Sequence, residues 1–113
     1  MGRFFLGMHM YKLSYYVPVS YLESTKQALF DAGAGRVGNY DSCCWQTPGQ
    51  GQFRPLVGST PYRGVPGQLE LVDEYKVEMI CVQSSLENAL GALRAAHPYE
   101  EPAIDVVRLE SVP

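Results

Sequence analysis

The pattern of apolar and polar positions switches between two periods, and it does so twice. "YKLSYYVP" (Tyr11–Pro18) sets Leu13, Tyr15 and Val17 against Lys12, Ser14 and Tyr16, the alternation of a strand with one buried face. "EYKVEMICV" (Glu74–Val82) repeats it, with Tyr75, Val77, Met79 and Cys81 on one side, and becomes apolar on both faces toward its end. Each run leads into a helical stripe: Leu22, Leu29 and Phe30 in "SYLESTKQALFDA" (Ser20–Ala32), then Leu86, Leu90 and Leu93 in "SSLENALGALRAA" (Ser84–Ala96). These two segments share Ser, Leu, Glu, Ala, Leu and Ala at equivalent places. Both open with S-x-x-E, which predicts a capping box with Ser20 and Ser84 as the caps. Gly33 predicts a C-terminal cap for the first helix, and Pro98 ends the second because it cannot donate the next helical hydrogen bond.

A strand signal follows each helix, "YDSCCWQT" (Tyr40–Thr47) and "AIDVVRL" (Ala103–Leu109). Strand–helix–strand occurring twice predicts an α+β ferredoxin-like split βαβ repeat: a four-stranded antiparallel sheet with two helices on one face. Between the halves lies "TPGQGQFRPLVGSTPYRGVPGQ" (Thr47–Gln68). Here "PGQG" reads as a hairpin turn, "QFRPL" as the returning strand and "GSTPYRGVPG" as a long loop. Phe53, Leu56, Val57 and Tyr62 give this insert apolar handles and predict that it packs against something. Residues 1–10 read as a flexible extension, leaving 11–113 as one domain.

Composition narrows the function classes. The 113 residues are 46% hydrophobic and 19% charged, enough for a packed core, and the formal charge of -3 argues against nucleic acid or an anionic membrane as partner. No apolar run approaches the roughly 20 residues of a membrane span. Three cysteines, Cys43, Cys44 and Cys81, form neither a disulfide framework nor a CxxC pair, so reduced thiols and a cytoplasmic setting are expected. On a strand, Cys43 and Cys44 would face opposite ways and could not share a ligand.

Two motifs carry candidate chemistry. In "RAAHPYEEPAIDVV" (Arg94–Val107), His97, Glu100 and Glu101 offer one nitrogen and two carboxylates, a ligand set suited to a divalent metal. Near-contiguous residues in an extended segment diverge, however. The alternative is a structural corner whose carboxylates accept backbone amides or pair with Arg36, Arg54 or Arg94. In "GAGRVGNY", glycine amides with Arg36 could cradle an anion, but the turn follows a helix rather than opening one, and a helix stop is the simpler reading.

"GAGRVGNYDSC" (Gly33–Cys43), "FRP" (Phe53–Pro55) and "HPYEEPA" (His97–Ala103) together resemble the inserted domain of YqfO-type members of the Nif-three-like family, over Tyr11 to Leu109. The resemblance implies a PII/CutA-like fold, tight homotrimers with sheets packed inward, and hairpins embracing a neighbour. The family's two-metal core has no counterpart in this sequence, so its metal chemistry does not carry over, and the chain looks like the insert standing alone. The expectation is a non-enzymatic, trimeric binding module with no obligatory cofactor. Its small-molecule or anion site would lie at a subunit boundary, drawing on Arg36, Asn39, Tyr40, Cys43, Arg54, His97, Tyr99, Glu100 and Glu101. A separate Nif-three-like core protein is a further expected partner. The alternative is a metal-dependent hydrolase with a site shared between subunits around His97, Glu100 and Glu101.

Overall fold

A computed structural model describes residues 9–110. Its elements run β1 (Met10–Pro18), a short 3-10 turn, α1 (Leu22–Asp31), β2 (Trp45–Phe53), β3 (Glu70–Val82), α2 (Gln83–Ala96) and β4 (Ile104–Leu109). The sheet order is β2-β3-β1-β4 and every neighbouring pair is antiparallel, the split βαβ arrangement that the repeat predicts. Leu13, Tyr15 and Val17 of β1 and Val77, Met79 and Cys81 of β3 form one core with Leu22 and Leu29 of α1 and Ala89 and Leu93 of α2. Both helices therefore cover the same face of the sheet. Inside this core the Thr25 hydroxyl donates to the carbonyls of Tyr21 or Leu22, leaving the buried Tyr15 hydroxyl as donor to Thr25 Oγ1 at 2.9 Å. Burial pushes the Tyr15 phenol up to about 12, against the lowering effect of the Thr25 bond.

Neither helix is capped by its serine. A 3-10 turn (Val19–Tyr21) holds Ser20 before α1, and β3 passes directly into α2, so the capping positions fall on Tyr21 and Val82, neither with a side-chain hydrogen bond, and Ser84 lies inside the first turn of α2. The C-terminal prediction for α1 holds. Gly33, at φ 103, donates to the Phe30 carbonyl, and Ala34 donates to Leu29, the paired bonds of a Schellman stop.

Three further boundaries differ from the sequence reading. His9 and Met10 belong to the fold: β1 starts at Met10, and the His9 carbonyl accepts from the Gln83 amide. The remainder of the expected extension, residues 1–8, lies outside the described residues. Cys43 and Cys44 precede β2 instead of lying on it, because Ser42 (φ 56) and the Cys43 N–H···O=C Gly35 bond hold that segment in a tight irregular loop. "PGQG" is not a turn. β2 runs straight through it, with Pro48 opposite Tyr75 and Gly51 opposite Val72. β2 is an edge strand, where proline's missing N–H costs no ladder bond. The reversal comes later, in residues 54–69, where Gly58, Gly64 and Gly67 supply the positive φ values.

β1 pairs with β3 only as far as Pro18↔Glu74. Beyond it, Glu70–Asp73 pair with Gln50–Phe53 alone and project as a two-stranded arm. Among the described residues, nothing covers the sheet face opposite the helices. It carries Lys12, Tyr16, Lys76, Glu78 and Trp45, which is 69% exposed. Lys12 Nζ meets Glu78 Oε1 at 2.7 Å and holds that carboxyl below its ordinary value.

Candidate functional site

The "HPYEEP" corner is built around His97. α2 ends on its N–H, which donates to Leu93 O at 2.8 Å, and the extended backbone that follows suits the residue before a proline. The side chain turns inward and is only 6% exposed. Nδ1 accepts the Tyr99 backbone N–H at 3.2 Å, which assigns the hydrogen to Nε2, and Nε2 donates to the Tyr16 carbonyl at 2.6 Å. Burial holds the imidazole below its ordinary pKa, opposed by the Tyr16 bond and the charge of Glu74. Both ring nitrogens are thus committed, tying the end of α2 to β1.

Tyr99 comes next and organises the arm. Its ring centroid lies 4.9 Å from His97, 6.0 Å from Phe53 and 6.2 Å from Tyr62, and Tyr62 in turn lies 5.7 Å from Tyr21. Its hydroxyl donates to Glu74 Oε2 at 2.6 Å. Burial, then the hydrogen bond to Glu74, push this phenol well above the usual tyrosine range. Glu74 reaches that position over Gly51, where any Cβ would collide with the carboxylate. Glu100 Oε1 accepts the Thr60 N–H at 2.9 Å, so the corner pins the loop at the arm's end onto the body. The insert's predicted handles Phe53 and Tyr62 are used here, and one predicted carboxylate–amide bond is found.

Beside this corner lies a half-open cleft of 330 Å³, with Phe53, Pro55, Tyr62 and Tyr99 as its apolar lining and Arg54, Arg63, Glu100 and Glu101 as its charged lining. Arg63 pairs with Glu70 at 3.6 Å. A wider trough of 640 Å³ continues along the uncovered sheet face past Tyr16, Glu74 and Lys76, sharing Phe53, Tyr99 and Glu101. Of the nine residues singled out in the sequence, Arg54, Tyr99, Glu100 and Glu101 border the cleft and His97 backs it. Glu74, Arg63 and Gly51 gave no sequence signal, since each reads as an ordinary polar or glycine position within a strand or loop.

Arg36, Asn39, Tyr40 and Cys43 do not line this cleft. The first three are exposed on the loop between α1 and β2, where Val37 and Tyr40 exchange backbone bonds of 2.9 Å. The amides at the start of the motif are used internally as well: Gly33 donates to Phe30, Ala34 to Leu29 and Gly35 to Ile80. An anion cradle built on Gly33 and Gly35 would need those amides free. Cys43 and Cys44 both border one shallow hollow of 320 Å³ with Lys12, Trp45 and Glu78, so the strand alternation expected to separate them does not apply. His97, Glu100 and Glu101 do not point at a common centre, and no three His, Cys, Asp or Glu side chains among the described residues converge to hold a metal ion. No helix among those residues is long and apolar enough to cross a membrane.

The strand order, the paired helices and the projecting arm define an α+β domain of CutA-like fold. The periplasmic divalent cation tolerance protein CutA of Archaeoglobus fulgidus matches with a TM-score of 0.66 at 15% identity, covering 92% of this chain and 87% of that one. CutA1 of Pyrococcus horikoshii matches at 0.65 and 14% identity, covering 91% and 86%. At these identities the likeness is one of fold. The sequence relationship is narrower and closer. The chain is 42% identical over 98 residues to the GTP cyclohydrolase 1 type 2 homolog of Mycobacterium leprae, and 41% identical over 102 residues to that of Bacillus subtilis. A Bacillus cereus protein related to NIF3 superposes with a TM-score of 0.79 at 41% identity over 91% of this chain. These matches cover 87% and 90% of this chain but 26% and 27% of the two curated relatives, and 26% of the Bacillus cereus protein. The chain is therefore a relative of one segment of the Nif-three-related proteins, about a quarter of their length. No protein-family profile matches it.

Proposed function

We propose that this chain is a homotrimeric binding module rather than an enzyme, taking a small molecule or a protein partner where its copies meet. The observation that carries this reading is the pairing of an uncovered sheet face with a projecting apolar arm. Trp45 stands in solvent on that face, and along the arm and its tip Leu56, Val57, Leu69 and Leu71 are exposed, Val57 at 96%. Large exposed apolar patches mark association in soluble proteins, and the arm concentrates several such side chains. Inward-packed sheets would cover Trp45, and the arm would reach a neighbour. The cleft with Arg54, Tyr99, Glu100 and Glu101 would then stand near a boundary to which a second copy could add Arg36, Asn39, Tyr40 and Cys43. A Nif-three-like core protein is the macromolecular partner that the sequence relationship suggests, and a reducing cytoplasm is the setting that its free cysteines suit.

Light scattering and native mass spectrometry at micromolar protein are expected to give three copies. Leu71→Asp in the arm or Trp45→Asp on the sheet face should lower that number. A wild-type monomer under these conditions overturns the reading.

A further inference from the structure

We infer that the cleft between the arm and the "HPYEEP" corner takes a free α-amino acid with an apolar side chain. The carboxylate would sit on Arg54, the ammonium on Glu101 and the side chain against Tyr62 and Tyr99. The inference rests on the binding-module reading but needs only one chain, because all four residues border the cleft of a single copy.

The argument starts from which charges are already spent. Arg63 is paired with Glu70, and Glu100 holds the Thr60 amide. Among the described residues, Arg54 and Glu101 are the charged groups of the cleft without an ion pair or hydrogen bond to another residue. Opposite charges that border one cleft without closing on each other leave a gap that a ligand bearing both signs can bridge. A ligand of one sign would satisfy only half of it.

The floor supplies the rest. Tyr62 and Tyr99 stand 6.2 Å apart by ring centroid, with Phe53 beside Tyr99, an aromatic surface suited to an apolar side chain. At 330 Å³ the cleft is near the small end of ligand sites, which run from about 300 Å³ upward, so an amino acid fits its scale better than a nucleotide. A polyanion is disfavoured on donors as well. The Thr60 amide is used by Glu100 and the Gly67 amide by the Pro55 carbonyl, leaving one uncommitted guanidinium against two carboxylates on the rim.

Titration calorimetry with L-phenylalanine, 3-phenylpropionate and phenethylamine tests this, with light scattering on the same samples. Phenylalanine should bind, and each analogue lacking one charge should bind roughly tenfold more weakly or worse, the scale of one charge-assisted hydrogen bond. Arg54→Met and Glu101→Gln alter exposed side chains and should leave the fold intact. Arg54→Met should weaken phenylalanine by a similar factor. Glu101→Gln should weaken phenylalanine while leaving 3-phenylpropionate unchanged. Absence of phenylalanine binding, equal binding of 3-phenylpropionate, or variants that bind like the wild type would each overturn the inference. A trimer that ignores phenylalanine sinks only this inference, and a monomer that binds it sinks only the assembly.

Discussion

The imidazole of His97 is hydrogen-bonded to the carbonyl of Tyr16, 81 residues away in sequence, at 2.6 Å, while its other nitrogen accepts the amide of Tyr99. One neutral tautomer satisfies both bonds. Protonation would put a hydrogen on Nδ1 and break the Tyr99 contact within a pocket shared with Tyr15 and Glu74.

This gives a pH dependence with a definite sign. The folded-state pKa lies below the ordinary 6.5, so below about that pH the unfolded chain binds the proton first. Stability should therefore be full above 6.5 and decline as pH falls from there through the lowered folded value. Thermal melts from about pH 7.5 to 5 should show this decline. His97→Gln should be less stable at neutral pH but flatter across the range, and an equally steep decline in the variant would refute the assignment.

Tyr99→Phe keeps the ring against Phe53 and Tyr62 and removes only the hydrogen bond to Glu74. The loss should be about 1–2 kcal/mol in urea denaturation, because a half-buried carboxylate is left without its donor. Tyr99→Ala should cost more, about 3 kcal/mol or above, and expose the loop at residues 54–69 to proteolysis. Equal costs for the two variants would mean that the aromatic contacts contribute little.

Tyr15→Phe tests the polar contact inside the core. Thr25 keeps its backbone acceptors, so the expected cost is small, about 1 kcal/mol. At high pH the wild type should lose stability as pH rises above 10, where the unfolded phenol ionises and the folded one, at about 12, does not. The phenylalanine variant should lose less over the same range.

Gly33→Ala should destabilise by about 1–3 kcal/mol, from the φ of 103 and from a Cβ placed 2.7 Å from Ser85 Oγ. The Ser85 side chain can rotate away, so Gly33→Ala combined with Ser85→Ala should recover only the smaller part of the loss. Full recovery would show that the backbone strain is slight.

The body of the fold was legible because its signals are periodic and doubled. Leu13/Tyr15/Val17 and Val77/Met79/Cys81 alternate cleanly, and the matching stripes of α1 and α2 set the strand order through the handedness of the crossovers. Local signals failed where the sheet overrode them. Pro48 and Gly49 spell a turn to any short-range reading, yet pairing with Tyr75 and Glu74 keeps them extended. Ser20 and Ser84 spell caps, yet Ser20 is taken up in a 3-10 turn and Ser84 falls inside a helix that starts directly at the end of β3. The site was half visible. "HPYEE" drew attention by composition, but nothing in "ELVDEYK" shows that Glu74 alone among its acidic residues would meet Tyr99. That contact joins residues 25 apart and depends on Gly51, across the strand pair, leaving room for the carboxylate.

The thirteen-residue β3 has two mechanical regimes along a single strand. From Val77 to Cys81 it is flanked by β1 and β2 or by core side chains, whereas from Glu70 to Asp73 one partner strand holds it. Amides of the outer stretch should exchange with solvent before those of the inner one, since local opening there exposes Val72 but none of the main core cluster. Glu74, where the two regimes join, is gripped by Tyr99. The singly paired stretch thus ends where the corner grips it, so the resistance of the arm to bending rests on the Tyr99–Glu74 contact more than on the sheet.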